Sequence, residues 1–181
     1  MTSARADSLP KIYFIENHLA ERTAFRRFFW GELSAPYMTS REYPAQPLIG
    51  VGALIISEER IVIVKRRHEP LKGEWSIPGG VLALGETLRS GAEREALEET
   101  GLVVQAGGVV EVVDRIVSDA EGKTRYHYVL IDFLCRPVGG ELRAAGDAEE
   151  ARWVSREELA GFAIAEPALS VIAKAFDIAR E

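Results

Sequence analysis

The sequence predicts an α/β layered domain in which two or three helices cover a mixed β-sheet. Three observations carry this. Strand-like runs rich in β-branched residues, such as LIGVGALIIS at 48–57 and TRYHYVLIDFLCRP at 124–137, outnumber the helix-like ones. An acid-rich helical stretch lies between Gly85 and Gly101. Leu169, Ile172, Ala173, Phe176 and Ala179 mark the apolar stripe of a last helix.

The elements follow in order. Residues 1–44 read as an N-terminal extension and 45–181 as the main domain. Within the extension, Lys11 to Leu33 holds Phe25, Phe28, Phe29 and Leu33 on one helical face. That face packs on its own domain or forms a dimer contact. A membrane-surface helix is a third reading, diluted by Glu16, Glu21 and Glu32. Pro36, Pro44 and Pro47 mark a linker. Residues 48–57 form a strand buried on both faces, and IVIVKRR returns as its hairpin partner after Glu58-Glu59-Arg60. His68 to Gly73 is a loop, and Trp75 to Pro78 is briefly extended. A tight turn at Pro78-Gly79-Gly80 leads to a helix starting at Glu86 and stopped by Gly101. Residues 102–118 form one or two strands with a break at Gly107-Gly108. After the strand ending at Gly139-Gly140, an acidic loop at 144–150 enters a short strand at Trp153. Ser155 and Glu158 have capping-box spacing, and Glu166-Pro167 opens the last helix.

The chain has 181 residues and a net charge of −6, which suits one domain plus an extension and disfavours nucleic-acid binding. It does not exclude small phosphorylated ligands held by metal ions and a few arginines. Cys135 is the only cysteine, so no intrachain disulfide forms, and a reducing compartment fits. Its place in an apolar strand reads as a small buried residue rather than a reactive thiol. No stretch reaches the roughly 18 apolar residues of a membrane helix, and the N-terminus does not resemble a signal peptide. A cytoplasmic location is expected.

The chemistry concentrates in GVLALGETLRSGAEREALEETGL, residues 80–102. On a helix, residues three and four apart share a face, so Glu95, Glu98 and Glu99 project together. Three adjacent carboxylates repel one another unless a cation sits among them. Taken alone, EREALEE is most often a solvated acidic face. Here the glycines ahead of the helix let backbone carbonyls approach a metal. A hard divalent ion such as Mg2+, with Mn2+ as a substitute, accepts oxygen ligands and leaves positions for phosphates. Arg94 lies one turn before Glu98 and can hold a carboxylate in place.

The spacing Gly80, five residues, Glu86, seven residues, Arg94-Glu95-Ala96, one residue, Glu98-Glu99, one residue, Gly101-Leu102 resembles the Nudix box of Nudix hydrolases. Every fixed position is filled, with the smaller Ala96 at a bulky aliphatic one. The resemblance covers Leu48 to about Ala179 and implies an α/β/α sandwich around the mixed sheet. It implies a magnesium-dependent diphosphohydrolase that cleaves a nucleoside diphosphate linked to X. Residue by residue, it implies metal ligation by Glu95, Glu98, Glu99 and the Gly79 carbonyl, and supporting roles for Arg94 and Glu86. The base is a box glutamate, Glu95 or Glu98, or an acid of the later loop, Asp147 or Glu149. A homodimer is also implied.

Substrate selection lies outside the box. Arg66, Arg67 and His68 end a strand and either meet phosphates or are simply polar. Trp75 stacks on a base or belongs to the core. Arg115, Tyr126 and His127 line a nucleotide pocket if they share a face, although strand alternation turns half of such residues away. The pattern looks most like ADP-ribose or nucleotide-sugar pyrophosphatases, but Val117-Ser118 stands where many ADP-ribose enzymes carry a proline. Hydrolysis of oxidised nucleoside triphosphates is the competing reaction. A non-hydrolytic nucleotide sensor is the competing class.

Overall fold

The structure, a computed structural model, describes residues 40–68 and 72–180. The expected helix within Lys11 to Leu33 and its dimer contact lie outside the described residues.

The central strand β1 (Leu48–Ser57) is almost wholly buried, as its β-branched run predicts. It lies parallel to β6 (Thr124–Gly140) on one side. On the other it changes partner. Gly50–Gly52 pair with β4 (Gly79–Val81), whereas Ile56 and Ser57 pair with β2 (Arg60–Arg66). The sheet therefore splits along this edge. Beyond β2 lie the short β3 (Trp75–Ser76) and β7 (Ala148–Ser155), and beyond β6 lies β5 (Leu102–Ser118). The β1–β2 turn places Glu58 and Glu59 at φ 49° and 59°, the left-handed region a two-residue hairpin requires.

One helix covers each face. Helix α1 (Leu88–Thr100) packs Ala92 and Ala96 onto Val51, Ala53 and Ile55 of β1 and Phe133 and Cys135 of β6. These small residues let the helix sit close to the sheet. Helix α2 (Glu166–Ile178) packs Ile172, Ala175 and Phe176 onto Leu54, Ile61, Ile63 and Val154. Alternation along β1 feeds both cores, and each fully buried aliphatic side chain contributes roughly 1.5–3 kcal/mol. Cys135 is sealed in the α1 core, and burial pushes its thiol up to about 12. No helix among the described residues is long and apolar enough to cross a membrane.

Several boundaries differ from the sequence reading. Helix α1 begins at Leu88, not Glu86. Thr87 is its N-cap, accepting from the Ser90 amide, while the Ser90 hydroxyl accepts from the Thr87 amide. Residues 102–118 form one strand, and Gly107-Gly108 is a bulge within it. The register jumps there from Ala106 opposite Cys135 to Val109 opposite Phe133. Helix α1 satisfies the disturbed backbone: Arg89 donates to the carbonyls of Ala106 and Gly107, and Glu93 accepts from the Ala106 amide. Strand β7 begins at Ala148, well before Trp153, because residues 150–155 pair with Arg60–Lys65 of β2 and Ala148 pairs with Arg66 beyond a bulge at Glu149. Ser155 and Glu158 make the expected reciprocal bonds, but they introduce only a 3-10 turn at Glu158–Gly161. The buried stripe of α2 uses Val171 and Ala175, whereas Ala179 is exposed.

Candidate active site

The split edge of β1 and the N-terminal approach to α1 meet at Arg94. Its Nε and Nη2 donate to the two oxygens of Glu86 at 2.9 and 3.1 Å. Its Nη1 donates to Glu95 Oε1 at 2.8 Å and to Glu98 Oε2 at 3.1 Å. Glu86, immediately before the N-cap Thr87, is held by the Ala83 amide, which donates to its Oε2 at 3.1 Å. The Arg94 hydrogen bond, aided by the Ala83 amide, holds the Glu86 carboxyl below the usual range. One guanidinium thus orders three carboxylates, a task its rigid fork performs better than an ammonium.

The same edge needs glycine twice. A Cβ on Gly80 would collide with the Glu95 carboxylate, and one on Gly79 would collide with the β1 backbone at Val51. The Gly79 amide donates to Glu99 Oε2 at 3.1 Å. Glu99 is a buried charged residue, only 7% exposed. Burial pushes its carboxyl up to about 7; the charges of Glu95 and Asp147 add to this, while the Gly79 amide and Arg66 oppose it. Burial also raises Glu95 against the pull of Arg94. The site is an under-neutralised, oxygen-rich cluster.

Among the described residues no three carboxylates already converge on one point. Glu95 and Glu98 face Arg94, and Glu99 faces the Gly79 amide. The donor set nevertheless fits a hard divalent cation. It is all oxygen, partly buried and short of positive charge. Glu98, which is exposed, can turn from Arg94 toward such an ion.

The remaining candidates divide. Arg66 lies at the end of β2 on the α1 side, near enough to Glu99 to lower its pKa, and its buried Nε has no hydrogen-bond partner. Arg67 is occupied, donating to the Ala148 carbonyl at 2.9 Å. Asp147, in the turn before β7, carries a charge felt by both Glu95 and Glu99. Glu149 lies on the strand rather than in a loop and pairs with Lys65 at 3.7 Å. Of the two places expected for Trp75, the structure puts its ring against the core. Its ring meets Phe162 edge-on at 5.0 Å in the α2 core, and the Arg152 guanidinium lies 5.5 Å from its centre. Arg115 and Tyr126 lie on the α2 face of the sheet, whereas His127 points to the α1 face with Ile116. These three do not form one pocket. Tyr126 instead stacks on Tyr128 with centroids 6.5 Å apart.

Asp132 is a further buried acid that the sequence reading did not single out. This carboxylate is 7% exposed on β6, and its signal was a lone acid inside the apolar run YVLIDFLC.

Comparison with known proteins places these features in a family. The NUDIX domain model matches residues 46–175. An ADP-ribose pyrophosphatase of Methanocaldococcus jannaschii is 34% identical over 113 residues, covering 62% of this chain and 64% of that enzyme. The match thus spans just under two thirds of that relative. A MutT-like protein of Streptomyces ambofaciens is 32% identical over 126 residues, 68% of this chain and 75% of its own length. The crystal structure of a MutT Nudix hydrolase from Burkholderia pseudomallei superposes with a TM-score of 0.60 at 27% identity, over 71% of this chain and 98% of that one. With the box residues gathered around Arg94 and the sheet split beside them, the chain belongs to the Nudix family.

Proposed function

We propose that the protein is a metal-dependent diphosphohydrolase that cleaves the P–O–P bridge of a nucleoside diphosphate linked to X, with ADP-ribose as the preferred substrate. The observation that carries it is the carboxylate cluster ordered by Arg94 against Gly79 and Gly80. Glu95, Glu98, Glu99 and the Gly79 carbonyl would hold Mg2+, or Mn2+ in its place. The bound ion supplies charge neutralisation on the phosphate oxygens and a more acidic water.

The chain's own groups do the rest. Arg66 offers its unpartnered Nε to a phosphate oxygen at the bridge. Arg94 and Glu86 keep the box carboxylates in place. The base that takes the proton of the attacking water is drawn from Glu95, Glu98 and Asp147; the Lys65 pairing disfavours Glu149. The name of the Methanocaldococcus relative supports ADP-ribose as the compound to test first.

The test is a panel of NDP-X compounds and oxidised nucleoside triphosphates with Mg2+, products resolved by mass in oxygen-18 water. ADP-ribose should yield AMP and ribose 5-phosphate, with label in one of them. A preference for the triphosphates would move the substrate assignment, and no turnover of any compound would overturn the hydrolase. We also propose that the full chain is a cytoplasmic homodimer, which sedimentation and fractionation test.

A further inference from the structure

We propose that the free edge of β5 is an interface with a second copy of this chain, the two β5 strands pairing antiparallel across a two-fold axis at Val113. The inference rests on the homodimer reading above and deepens it by naming the surface.

Strand β5 ends the sheet. β6 takes one of its edges, and no other described strand pairs with the second. From Glu111 to Val117 it runs opposite Asp132 to Tyr126 in unbroken register, clear of the bulges nearer its start. Such a stretch presents a row of backbone donors and acceptors, a template for another strand. Its α1 face carries Val112 and Ile116, which are 56% and 58% exposed. Helix α1 packs elsewhere, over the inner half of the sheet.

Charged side chains guard many edges, and Glu111, Asp114 and Arg115 would serve that end. Their order does something more specific. Glu111 and Arg115 flank Val113 symmetrically, all three on the α2 face. In an antiparallel pair, directly opposite residues share a face. Reversing the strand about Val113 therefore sets Glu111 opposite the partner's Arg115, and Arg115 opposite the partner's Glu111. One sequence supplies both halves of two ion pairs, the reciprocity of a two-fold contact. On the other face Val112 lies diagonal to the partner's Ile116, so both exposed side chains gain an apolar neighbour. Asp114 lies opposite the partner's Val112. Charge also fixes the register. An axis at Asp114 would set two carboxylates against each other, and an axis at Val112 would place neither charge opposite its complement.

The Glu111 carboxylate is already held for this pairing. Lys174 of α2 donates to its Oε2 at 2.7 Å, and the Val112 amide donates to its Oε1 at 3.2 Å. A carboxylate has about four lone-pair sites, so both oxygens can still accept from a guanidinium. Little side-chain freedom is left to lose on pairing. Arg115 is exposed and free to meet it. Strands β6 and β1 separate this edge from β4 and Gly79, so the pairing leaves both carboxylate clusters open.

The experiment is sedimentation equilibrium of the full chain over a concentration series. It compares wild type, Glu111→Arg and Arg115→Glu, with the two variants run alone and mixed in equal amounts. Wild type should be a dimer. Each variant alone sets like charges opposite each other at both pairs, and its dimer dissociation constant should rise at least about tenfold. The mixture should recover the wild-type dimer, because the charges of one variant complement those of the other. Thermal melts show that each variant is folded. A monomeric wild type overturns the homodimer and this interface together. Variants as dimeric as wild type, or a mixture no more dimeric than its components, overturn this interface alone and leave a homodimer formed through another surface. Sedimentation needs no turnover, so failure of the diphosphohydrolase reading leaves every outcome legible.

Discussion

Arg94 grips Glu86 through two parallel hydrogen bonds, Nε to Oε1 at 2.9 Å and Nη2 to Oε2 at 3.1 Å, and has one nitrogen left for both Glu95 and Glu98. The consequence is positional. Glu86 lies before the helix cap and fixes the guanidinium, and the guanidinium fixes the two helical carboxylates. Arg94→Lys keeps the charge but loses the fork. It should lower kcat on the order of 10–100-fold with little change in melting temperature. Steady-state kinetics beside a thermal melt check this, and activity within twofold of wild type would refute the positioning role.

Gly80 controls the same carboxylate from the strand side. A methyl group there strikes Glu95, yet the backbone at 80 is not in the left-handed region, so alanine costs little conformationally. Gly80→Ala should reduce kcat/KM at least about tenfold while the protein stays folded. Full activity would show that Glu95 does not need its present place.

Glu98 is the exposed carboxylate of the three. Glu98→Gln should cut kcat on the order of 100-fold and raise the Mg2+ concentration needed for half-maximal rate. A metal titration of the rate separates ligation from a general structural effect. The assignment fails if the variant turns over normally at the same metal concentration.

Trp75 belongs to stability rather than to binding. Trp75→Ala removes a half-buried ring packed on Phe162, and should destabilise by about 2–4 kcal/mol in urea unfolding. KM for the preferred substrate should stay within about threefold. A large rise in KM with unchanged stability would restore the stacking role.

Asp132 makes stability depend on pH in a defined direction. Its carboxyl sits at about 6 in the folded protein against an ordinary 3.8. Below about pH 4 it is protonated in both states and contributes no difference. Between about pH 4 and 6 the unfolded chain ionises first, so stability falls as pH rises, and a cost on the order of 3 kcal/mol persists above that range. The groups facing it are Glu111, which adds to the cost, and Lys174, which partly neutralises Glu111. Gly52 and Ile77 bring no charge. The stability gap between Asp132→Asn and wild type should therefore be small at pH 4 and widen toward pH 7. A constant gap across that range would refute the shift.

Much of this protein is legible without coordinates, for a local reason. The box carboxylates Glu95, Glu98 and Glu99 lie within five residues of one helix, where the 3.6-residue turn decides which side chains share a face. The buried β1, the hairpin after it and the helix stop at Gly101 follow from equally short patterns. Other features depend on strand partners distant in the chain. The bulge at Gly107-Gly108 shifts the register of the outer half of β5 against β6, and so decides that Arg115 lies opposite Tyr128 and Ile116 opposite His127. Glu149 became a bulge residue of β7 because Ala148 and Glu150 on either side of it pair with β2, and Trp75 entered a core because Phe162 packs beside it. Asp132 shows the division most sharply. Its sequence position reveals only an acid in an apolar run, whereas its burial and its row with Gly52 and Gly79 exist only once four strands lie side by side. Local spacing determined which carboxylates gather around Arg94. Nonlocal pairing decided which side chains of β5, β6 and β7 share a face and which enter a core.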